Sequence, residues 1–158
     1  MRLTSKGRYA VMAMADLAAH QAGDRAVPLQ DIALRQAISL SYLEQLFARL
    51  RRGGLVEGVR GPGGGYRLAR PAAGIFTAEI IAAVDETIAV VRCQPKAKLG
   101  CTGKSERCIA HDLWEAMGEH IHEFLAQVSL QDVVERKVRV SPGYVQGSFQ
   151  GLPQSAAS

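Results

Sequence analysis

The sequence predicts a mainly α-helical fold with one small β-hairpin, and three observations lead to this prediction. Over residues 6–52, apolar side chains recur every three or four positions, which is the period of helices with one buried face. Two short apolar runs then flank a glycine-rich turn, as in a β-hairpin. A second and longer stretch of helical period follows after residue 105. With 158 residues, the chain has room for one main domain and an appendage.

Charge divides the chain into a basic head and a mildly acidic remainder. Residues 1–70 carry eleven Lys or Arg against five Asp or Glu, whereas the later residues carry eight against ten. A basic half joined to an acidic half is typical of a nucleic-acid-binding head on a non-binding body, although a basic surface without a partner gives the same count. We therefore expect a head over 1–70, a second region over 71–135 and a flexible tail over 136–158.

The first two helices follow from capping residues and apolar spacing. Ser5 is positioned to cap a helix from about Lys6 to Gln21. Around Pro28 the chain suits a short edge strand, because proline cannot donate a hydrogen bond to a sheet. A short second helix is predicted from Gln30 to Gln36.

A third helix, predicted from about Ser41 to Arg52, carries a set of outward-facing polar residues. Gly53 and Gly54 end it, and Ser41 with Glu44 matches the S-x-x-E capping box. Two helices, a tight turn and a third helix that starts with polar residues form a helix-turn-helix, the geometry that enters the major groove of DNA. The predicted outer residues are Ser41, Tyr42, Glu44, Gln45, Ala48, Arg49 and Arg52.

The hairpin after the third helix is positioned to serve as a wing. Its strands are predicted over residues 55–59 and 66–68, with a glycine-rich turn between them. The glycines allow the backbone to approach a phosphate closely, and Arg60 can enter a minor groove. A nucleotide-phosphate loop is the alternative, but neither a Gly-Lys-Ser/Thr sequence nor a strand-to-helix context accompanies these glycines.

A long amphipathic helix is predicted from about Glu106 to Val128, after a shorter helix over 78–85 that Thr77 caps. The apolar stripe along the long helix exceeds what a small winged head needs. Pairing of two copies across a two-fold axis would bury it, whereas packing back on its own head is the alternative. Residues 130–136 are predicted to form one or two further helical turns. The predicted fold class is thus mainly α with a small β-hairpin wing, namely a winged helix-turn-helix head plus a long dimerisation helix in a homodimer.

All three cysteines lie within a sixteen-residue segment, and a histidine follows closely. The gaps between Cys93, Cys101, Cys108 and His111 are seven, six and two residues. Four such ligands on a loop can wrap one metal centre, and spacing leaves both zinc and an iron–sulfur cluster open. The odd count and the lack of an apolar signal region disfavour a disulfide framework, and no apolar run approaches the length of a membrane span. We therefore expect a reduced, cytoplasmic protein.

Several separate stretches resemble the IscR family, the iron–sulfur-containing winged-helix regulators of cluster assembly genes. The resemblance covers about residues 1–135. It is carried by MRLTSKGRYAV at the start, ISLSYLEQLFARLR in the third helix, GLVEGVRGPGGGYRL in the hairpin, and the three-cysteine loop. The cysteine loop departs from the family pattern, because its gaps are longer than the usual compact spacing.

The resemblance implies a cluster, a DNA interface and a regulatory role. The cluster would be a [2Fe–2S] centre supplied by the iron–sulfur assembly machinery. Cluster binding would open a second class of DNA sites, with Glu44 as the negative discriminator. The implied cluster ligands are Cys93, Cys101, Cys108 and His111. The implied contacts to double-stranded DNA are Ser41, Tyr42, Glu44 and Gln45 in the major groove and Arg60, Pro62 and Gly63 in the minor groove.

Other functions stay open beside this one. A related winged-helix sensor of nitric oxide would carry a different cluster, although Lys6-Gly7-Arg8-Tyr9 and His111 favour the first function. A zinc-bound structural version is chemically reasonable, because three cysteines and a histidine suit tetrahedral zinc. A redox enzyme or electron carrier has no use for a basic helix-turn-helix head, and the sequence offers no nucleophile–base pair, carboxylate dyad or dinucleotide fingerprint. We therefore expect a repressor or activator of transcription, not an enzyme.

Overall fold

The structure, a computed structural model, describes residues 5–84 and 108–138. Within these residues the chain forms helices and a two-stranded antiparallel sheet, which confirms the mainly α fold with a β-hairpin wing. No helix in this part of the chain has the length and apolar character that crossing a membrane requires. The elements are α1 (Ser5–His20), α2 (Leu29–Gln36), α3 (Leu40–Arg52), β1 (Val56–Val59), β2 (Gly65–Leu68), α4 (Thr77–Ala83), α5 (His111–Gln127) and α6 (Leu130–Val134), with a 3₁₀ turn at Ala72–Gly74.

Helices α1, α2 and α3 enclose an apolar core together with α4 and α6. Met14 of α1 and Phe47 of α3 are fully buried in it, and Phe47 packs on Tyr66 with ring centroids 4.9 Å apart. Ile80 of α4 and Leu130 of α6 belong to the same buried cluster. Burying each such aliphatic side chain contributes about 1.5–3 kcal/mol, so the segments after residue 70 add substantially to the core of the N-terminal head.

A buried ion pair holds α2 against α1. Only 1% of the Asp16 side chain is exposed, and its carboxylate accepts hydrogen bonds from Arg35 at 2.6 Å and from Gln36 at 2.7 Å. Burial by itself raises the pKa of Asp16, but the hydrogen bonds from Arg35 and Gln36 outweigh it and hold the pKa below its usual value. Because α2 and α3 form the helix-turn-helix, this pair helps to position the helix that precedes the turn.

Backbone hydrogen bonds anchor the wing to the head. Strands β1 and β2 pair in antiparallel register, with Val56 opposite Leu68. Val27 exchanges two hydrogen bonds with Tyr66 of β2, at 2.8 and 2.9 Å. The edge strand predicted around Pro28 is therefore a single bridge, because α2 begins directly after that proline.

The capping box predicted at the start of the third helix is wrong. Ser41 lies inside α3, and Ser39 takes the N-cap position with extended backbone angles of −62° and 140°. The helix begins earlier than predicted because Ala37 adopts the left-handed conformation, at φ 53°, and so completes the turn after α2 by Ser39. Glu44 is consequently exposed and has no capping role.

The cap predicted at Thr77 is also wrong. Thr77 is the first residue of α4, and its buried hydroxyl donates to the carbonyl of Leu125 in α5 at 2.7 Å. Glu79 accepts from the Phe76 amide at 2.9 Å, and this hydrogen bond holds the pKa of Glu79 below its usual value, with Arg70 contributing further. The Thr77 hydroxyl thus forms a tertiary hydrogen bond and does not cap the helix as the sequence predicted.

Helix α5 starts later than predicted. Residues 108–110 form a turn in which the His111 amide donates to the Cys108 carbonyl at 2.9 Å, and the helix begins at His111. The predicted start near Glu106 is therefore wrong for the described residues 108–110. At the other end, α6 stops before Arg136 because that residue adopts a positive φ of 55°.

Candidate DNA interface and metal centre

The start of α3 presents the polar side chains that the family resemblance predicts to contact DNA. Ser41, Glu44 and Gln45 are exposed, and Tyr42 is half-buried. They occupy this surface because the four buried residues of α3 turn its other face into the core. Tyr42 makes an edge-to-face contact with Tyr9 of α1, with ring centroids 6.0 Å apart. The fold thus brings these four residues together at one end of a helix.

The remaining predicted DNA residues, Arg60, Pro62 and Gly63, lie exposed in the turn between β1 and β2. Gly63 has a positive φ of 74°, and a side chain at Gly64 would lie 2.6 Å from the Val59 carbonyl. The tight turn therefore depends on glycine for its shape. The predicted DNA residues of the turn between β1 and β2 and those at the start of α3 lie on different elements. Only a ligand that spans both elements can therefore contact all of them.

Positive charge collects in the last turn of α3. Arg49, Arg51 and Arg52 all lie there, and Arg51 and Arg52 are exposed. Exposed guanidinium groups suit contacts to phosphate oxygens, because they donate several hydrogen bonds from one planar group. Binding through such contacts releases counterions and weakens as salt concentration rises.

Two of the four predicted metal ligands lie three residues apart in the turn that leads into α5. His111 is only 5% exposed, and Cys108 is half-buried in the turn that leads into the helix. One thiol and one imidazole offered from a single turn fit an iron–sulfur cluster and zinc equally well. The other two predicted ligands, Cys93 and Cys101, lie outside the described residues.

Glu115 lies near the predicted histidine ligand and was not identified from the sequence. Its Oε2 atom is 3.7 Å from Nε2 of His111, one helical turn away. The i, i+4 spacing of the two residues was visible in the sequence and could have indicated the contact. The ligand atoms of His111, Asp112 and Glu115 all lie within 4.8 Å of one another. Exposed carboxylates commonly lie this close without an ion, so we assign no second metal site here.

Helix α4 connects the DNA-facing part of the head with α5 through its packing contacts. It packs against α1, α3 and α5. Arg49 of α3 donates a hydrogen bond to the carbonyl of Val84, just after α4, at 3.5 Å. Gly53, at the end of α3, approaches Ala83 so closely that an added Cβ would lie 3.0 Å from the Ala83 Cβ. Arg49 and Gly53 of α3 thus contact the last described residues before the segment that carries Cys93 and Cys101 in the sequence.

Helix α5 has an exposed apolar face and an acidic face. Leu113 is 63% exposed, and Trp114 and Phe124 are about two-fifths exposed. At 100° per residue, Glu119 and Glu123 lie on the opposite side of the helix. Helix α4 covers only part of α5, so this apolar face stays exposed within the described residues.

The chain resembles known proteins over nearly all of the described residues. The chain matches the family described as Rrf2, iron-dependent transcriptional regulator, over residues 3–136. It is similar to the HTH-type transcriptional regulator IscR of Xenorhabdus nematophila, with 57% identity over 137 residues that cover 87% of this chain and 81% of the relative. The protein of the same name from Photorhabdus laumondii is 54% identical over the same coverage.

Solved structures resemble the fold over most of its length. The structure of T. potens IscR is similar with a TM-score of 0.68 and 36% identity, and the match covers 91% of this chain and 95% of that one. The structure of CymR, described as the global cysteine regulator of B. subtilis, is similar with a TM-score of 0.71 and 29% identity, covering 86% and 98% of the two chains. Both are winged-helix regulators, in agreement with the hairpin and α3 described above.

Proposed function

The chain belongs to the Rrf2 family of iron-dependent transcriptional regulators, as a DNA-binding protein of the IscR type, and on this premise we propose how it senses and responds. We propose a homodimer in which a [2Fe–2S] cluster alters the preference between DNA sites. The cluster would be held by Cys93, Cys101, Cys108 and His111. The target genes of the regulator would be those of iron–sulfur cluster assembly, and its compartment the cytoplasm. The assembly machinery would be the cluster donor.

The pairing of Cys108 with His111 is the observation that carries the cluster proposal. The backbone hydrogen bond between them, at 2.9 Å, sets both side chains at the start of one helix, and His111 is shielded from water. A buried imidazole that follows a cysteine by three residues suits a mixed cysteine–histidine centre.

The ligand set suits a sensor better than an electron carrier. A bound cluster supplies iron and sulfide chemistry that responds to iron supply and to oxidants. His111 contributes no negative charge, so the protein would hold the cluster less tightly than four thiolates would. Cys93 and Cys101 belong to the segment that follows Val84, whose carbonyl accepts a hydrogen bond from Arg49 of α3. A shared cluster would therefore link that segment to Cys108 and His111.

Site discrimination is assigned to Glu44. This residue is exposed at the second turn of α3 and has no role in capping the helix, so its carboxylate is available to face the major groove. A carboxylate accepts a hydrogen bond from cytosine N4 and is repelled by phosphate where no donor faces it. We infer that Glu44 excludes one class of sites until the cluster changes the position of α3.

A second copy of this chain is the proposed cover for the apolar face of α5. Leu113, Trp114 and Phe124 lie on one apolar face of α5 that the described residues of a single copy leave exposed. Pairing two such helices about a two-fold axis buries both stripes at once and gives the two α3 helices the symmetry of a palindromic site.

The test of this function starts with protein purified without air. We expect about two iron and two sulfide per chain with visible absorption, and loss of both in Cys101→Ala and His111→Ala variants. One zinc per chain without colour would remove the cluster from the mechanism. A Tyr144→Phe variant, altered in the tail predicted from the sequence, serves as the control and should load like the wild type.

DNA binding of the cluster-loaded and cluster-free protein is then measured on duplexes selected from a random pool. We expect a class of sites bound only by the loaded protein, and Glu44→Ala should bind that class without the cluster. A Glu44→Ala protein that still needs the cluster would contradict the assigned role of this residue.

A further inference from the structure

A cavity of about 390 Å³ opens between α1 and the turn that precedes α3. Four of the six lining residues carry a hydroxyl group. Ile38 is the buried member of the set, whereas both serines are exposed and both tyrosines half-buried. No carboxylate or basic side chain lines this space within the described residues. The lining residues are Ser5, Tyr9, Ala37, Ile38, Ser39 and Tyr42.

The cavity adjoins the DNA-facing end of α3. Tyr42 belongs both to the cavity wall and to the set predicted for the major groove, and Ser39 immediately precedes the helix. In a helix-turn-helix complex the start of this helix enters the groove, whose walls are phosphates of the two backbones. A backbone phosphate must therefore pass close to the mouth of this cavity when DNA binds.

The hydroxyl groups are suited to receive that phosphate. Within the described residues, the Ser39 side chain forms no hydrogen bond to the first amides of α3, so its hydroxyl is not occupied in capping. Tyr9 is held in place by its edge-to-face contact with Tyr42, which reduces the entropy lost when its hydroxyl forms a new hydrogen bond. Hydroxyl donors bind anions without a charge of their own.

We propose that this cavity seats one phosphate of the DNA backbone, with the hydroxyls of Ser5, Tyr9 and Ser39 donating to its oxygens. The inference rests on the DNA binding of the proposed function and adds contacts on α1 and the turn that neither the wing nor the start of α3 supplies. Because these donors contact phosphate, they set the orientation of the head on DNA and carry no sequence information.

Neutral donors give this site a distinctive signature in binding experiments. Each Lys or Arg that contacts a phosphate adds to the salt dependence of binding, because it releases counterions. A hydroxyl contact adds affinity and leaves the salt slope unchanged. Loss of a seated phosphate contact should therefore lower affinity equally on all duplexes, at every salt concentration.

The first experiment measures the affinity of Tyr9→Phe and Ser39→Ala for a selected duplex and for a scrambled one of the same composition. Each variant is expected to bind both duplexes about tenfold more weakly, with the same slope of log affinity against log salt. Tyr9→Phe keeps the ring and its contact with Tyr42, so its thermal midpoint should match the wild type. Tyr144→Phe removes the same group from the C-terminal segment and should change nothing, whereas Arg60→Gln should lower the salt slope.

The second experiment identifies the phosphate. Uncharged methylphosphonate groups are introduced singly along the duplex, and one position beside the start of α3 is expected to weaken wild-type binding but to have little further effect on Tyr9→Phe. Losses of binding free energy from Tyr9→Phe and from methylphosphonate that do not add would indicate that the Tyr9 hydroxyl and that phosphate contact each other.

Three results would overturn the inference while the proposed function stands. The first is that both hydroxyl variants bind DNA with wild-type affinity, and the second is that they lose affinity only for the selected duplex. The third is that the affinity losses from Tyr9→Phe and from methylphosphonate multiply at every position of the duplex. A wild-type protein that binds no duplex would instead refute the DNA-binding function itself, and with it the phosphate site.

Discussion

At the residue scale, the carboxylate of Asp16 shows how one buried charge is accommodated in the head. Its oxygens accept hydrogen bonds from Arg35 and Gln36 of α2, and its side chain is almost fully removed from water. A carboxylate buried without these partners would be strongly destabilising. The three side chains therefore act together, and the position of α2 depends on all of them.

Replacement of Asp16 by asparagine tests this role. At neutral pH, Asp16→Asn is expected to lower the free energy of unfolding by about 2 to 3 kcal/mol, because charge-assisted hydrogen bonds from Arg35 and Gln36 are lost. The folded-state pKa of Asp16 lies below its ordinary value of 3.8, so the stabilisation is present above the unfolded-state pKa and is lost as pH falls through the folded-state pKa. Urea unfolding of both proteins from pH 7 to pH 3 should thus show their difference narrowing below about pH 4.

An exposed ion pair provides the control for that measurement. Glu57 and Arg67 pair across the hairpin at 2.9 Å, but the two side chains are 52% and 37% exposed. Glu57→Gln should therefore change stability by less than about 1 kcal/mol. An equal loss of unfolding free energy in Asp16→Asn and Glu57→Gln would show that the buried ion pair of Asp16 stabilises the fold no more than the exposed one.

At the element scale, the wing is positioned by one close approach of two backbones. Val27 bonds to Tyr66 next to Gly65, and Gly65 has a φ of 152°. A Cβ atom at Gly65 would lie 2.3 Å from the Val27 carbonyl oxygen. Only a residue without a side chain allows this contact, which fixes β2 and hence the wing turn against the rest of the head.

Substitution of Gly65 by alanine is expected to break the bridge to Val27. We predict a loss of about 2 to 4 kcal/mol in the free energy of unfolding, because the clash is with backbone and φ is strained. Gly58→Ala is the matched control, since its Cβ would have ordinary contacts at 3.8 Å with Arg51 and Tyr66 and should cost far less. Urea unfolding of the two variants checks this, and equal losses would refute the close approach as the cause.

Helix α5 links the element scale to the whole molecule, because its two ends have different surroundings. Near its C-terminal end, the Thr77 amide donates to the Val128 carbonyl at 3.0 Å and Leu130 bonds back to Ile75 at 2.7 Å. Its first turn carries His111 and Leu113, where the exposed apolar face begins. The C-terminal end is thus fastened to the core, the first turn presents the histidine proposed for the cluster, and the apolar face proposed for the second copy runs from one end to the other.

At the scale of the whole molecule, a charge placed on the apolar stripe of α5 should separate the proposed dimer. Leu113→Glu is expected to weaken self-association at least a hundredfold, because a carboxylate would be buried between two helices. Ala126→Glu places the same charge on the acidic side of α5 and serves as the control. Sedimentation equilibrium across a dilution series measures both, and equal behaviour of the two variants would show that the stripe is not the dimer surface.

The sequence by itself determined the order of the elements and the faces of the helices, because apolar period, glycine turns and strand patterns are local properties of the chain. It predicted the end of α3 at Gly53, and it placed Ser41, Gln45 and Arg60 on exposed positions before the fold was known. The IscR-type resemblance was equally readable, since its motifs are contiguous stretches of sequence.

Only the tertiary structure decided which polar groups meet across the chain. Asp16 and Arg35 are 19 residues apart, and no periodic pattern connects them. The sequence predicted Thr77 as a cap, but its hydroxyl donates to Leu125, 48 residues away, because a buried hydroxyl must find an acceptor wherever packing supplies one. The hydroxyl-lined cavity arises in the same way, from α1 packing beside a turn whose left-handed Ala37 moves the start of α3 to Ser39. Such contacts depend on how helices pack, and packing is a property of the whole fold that no local stretch encodes.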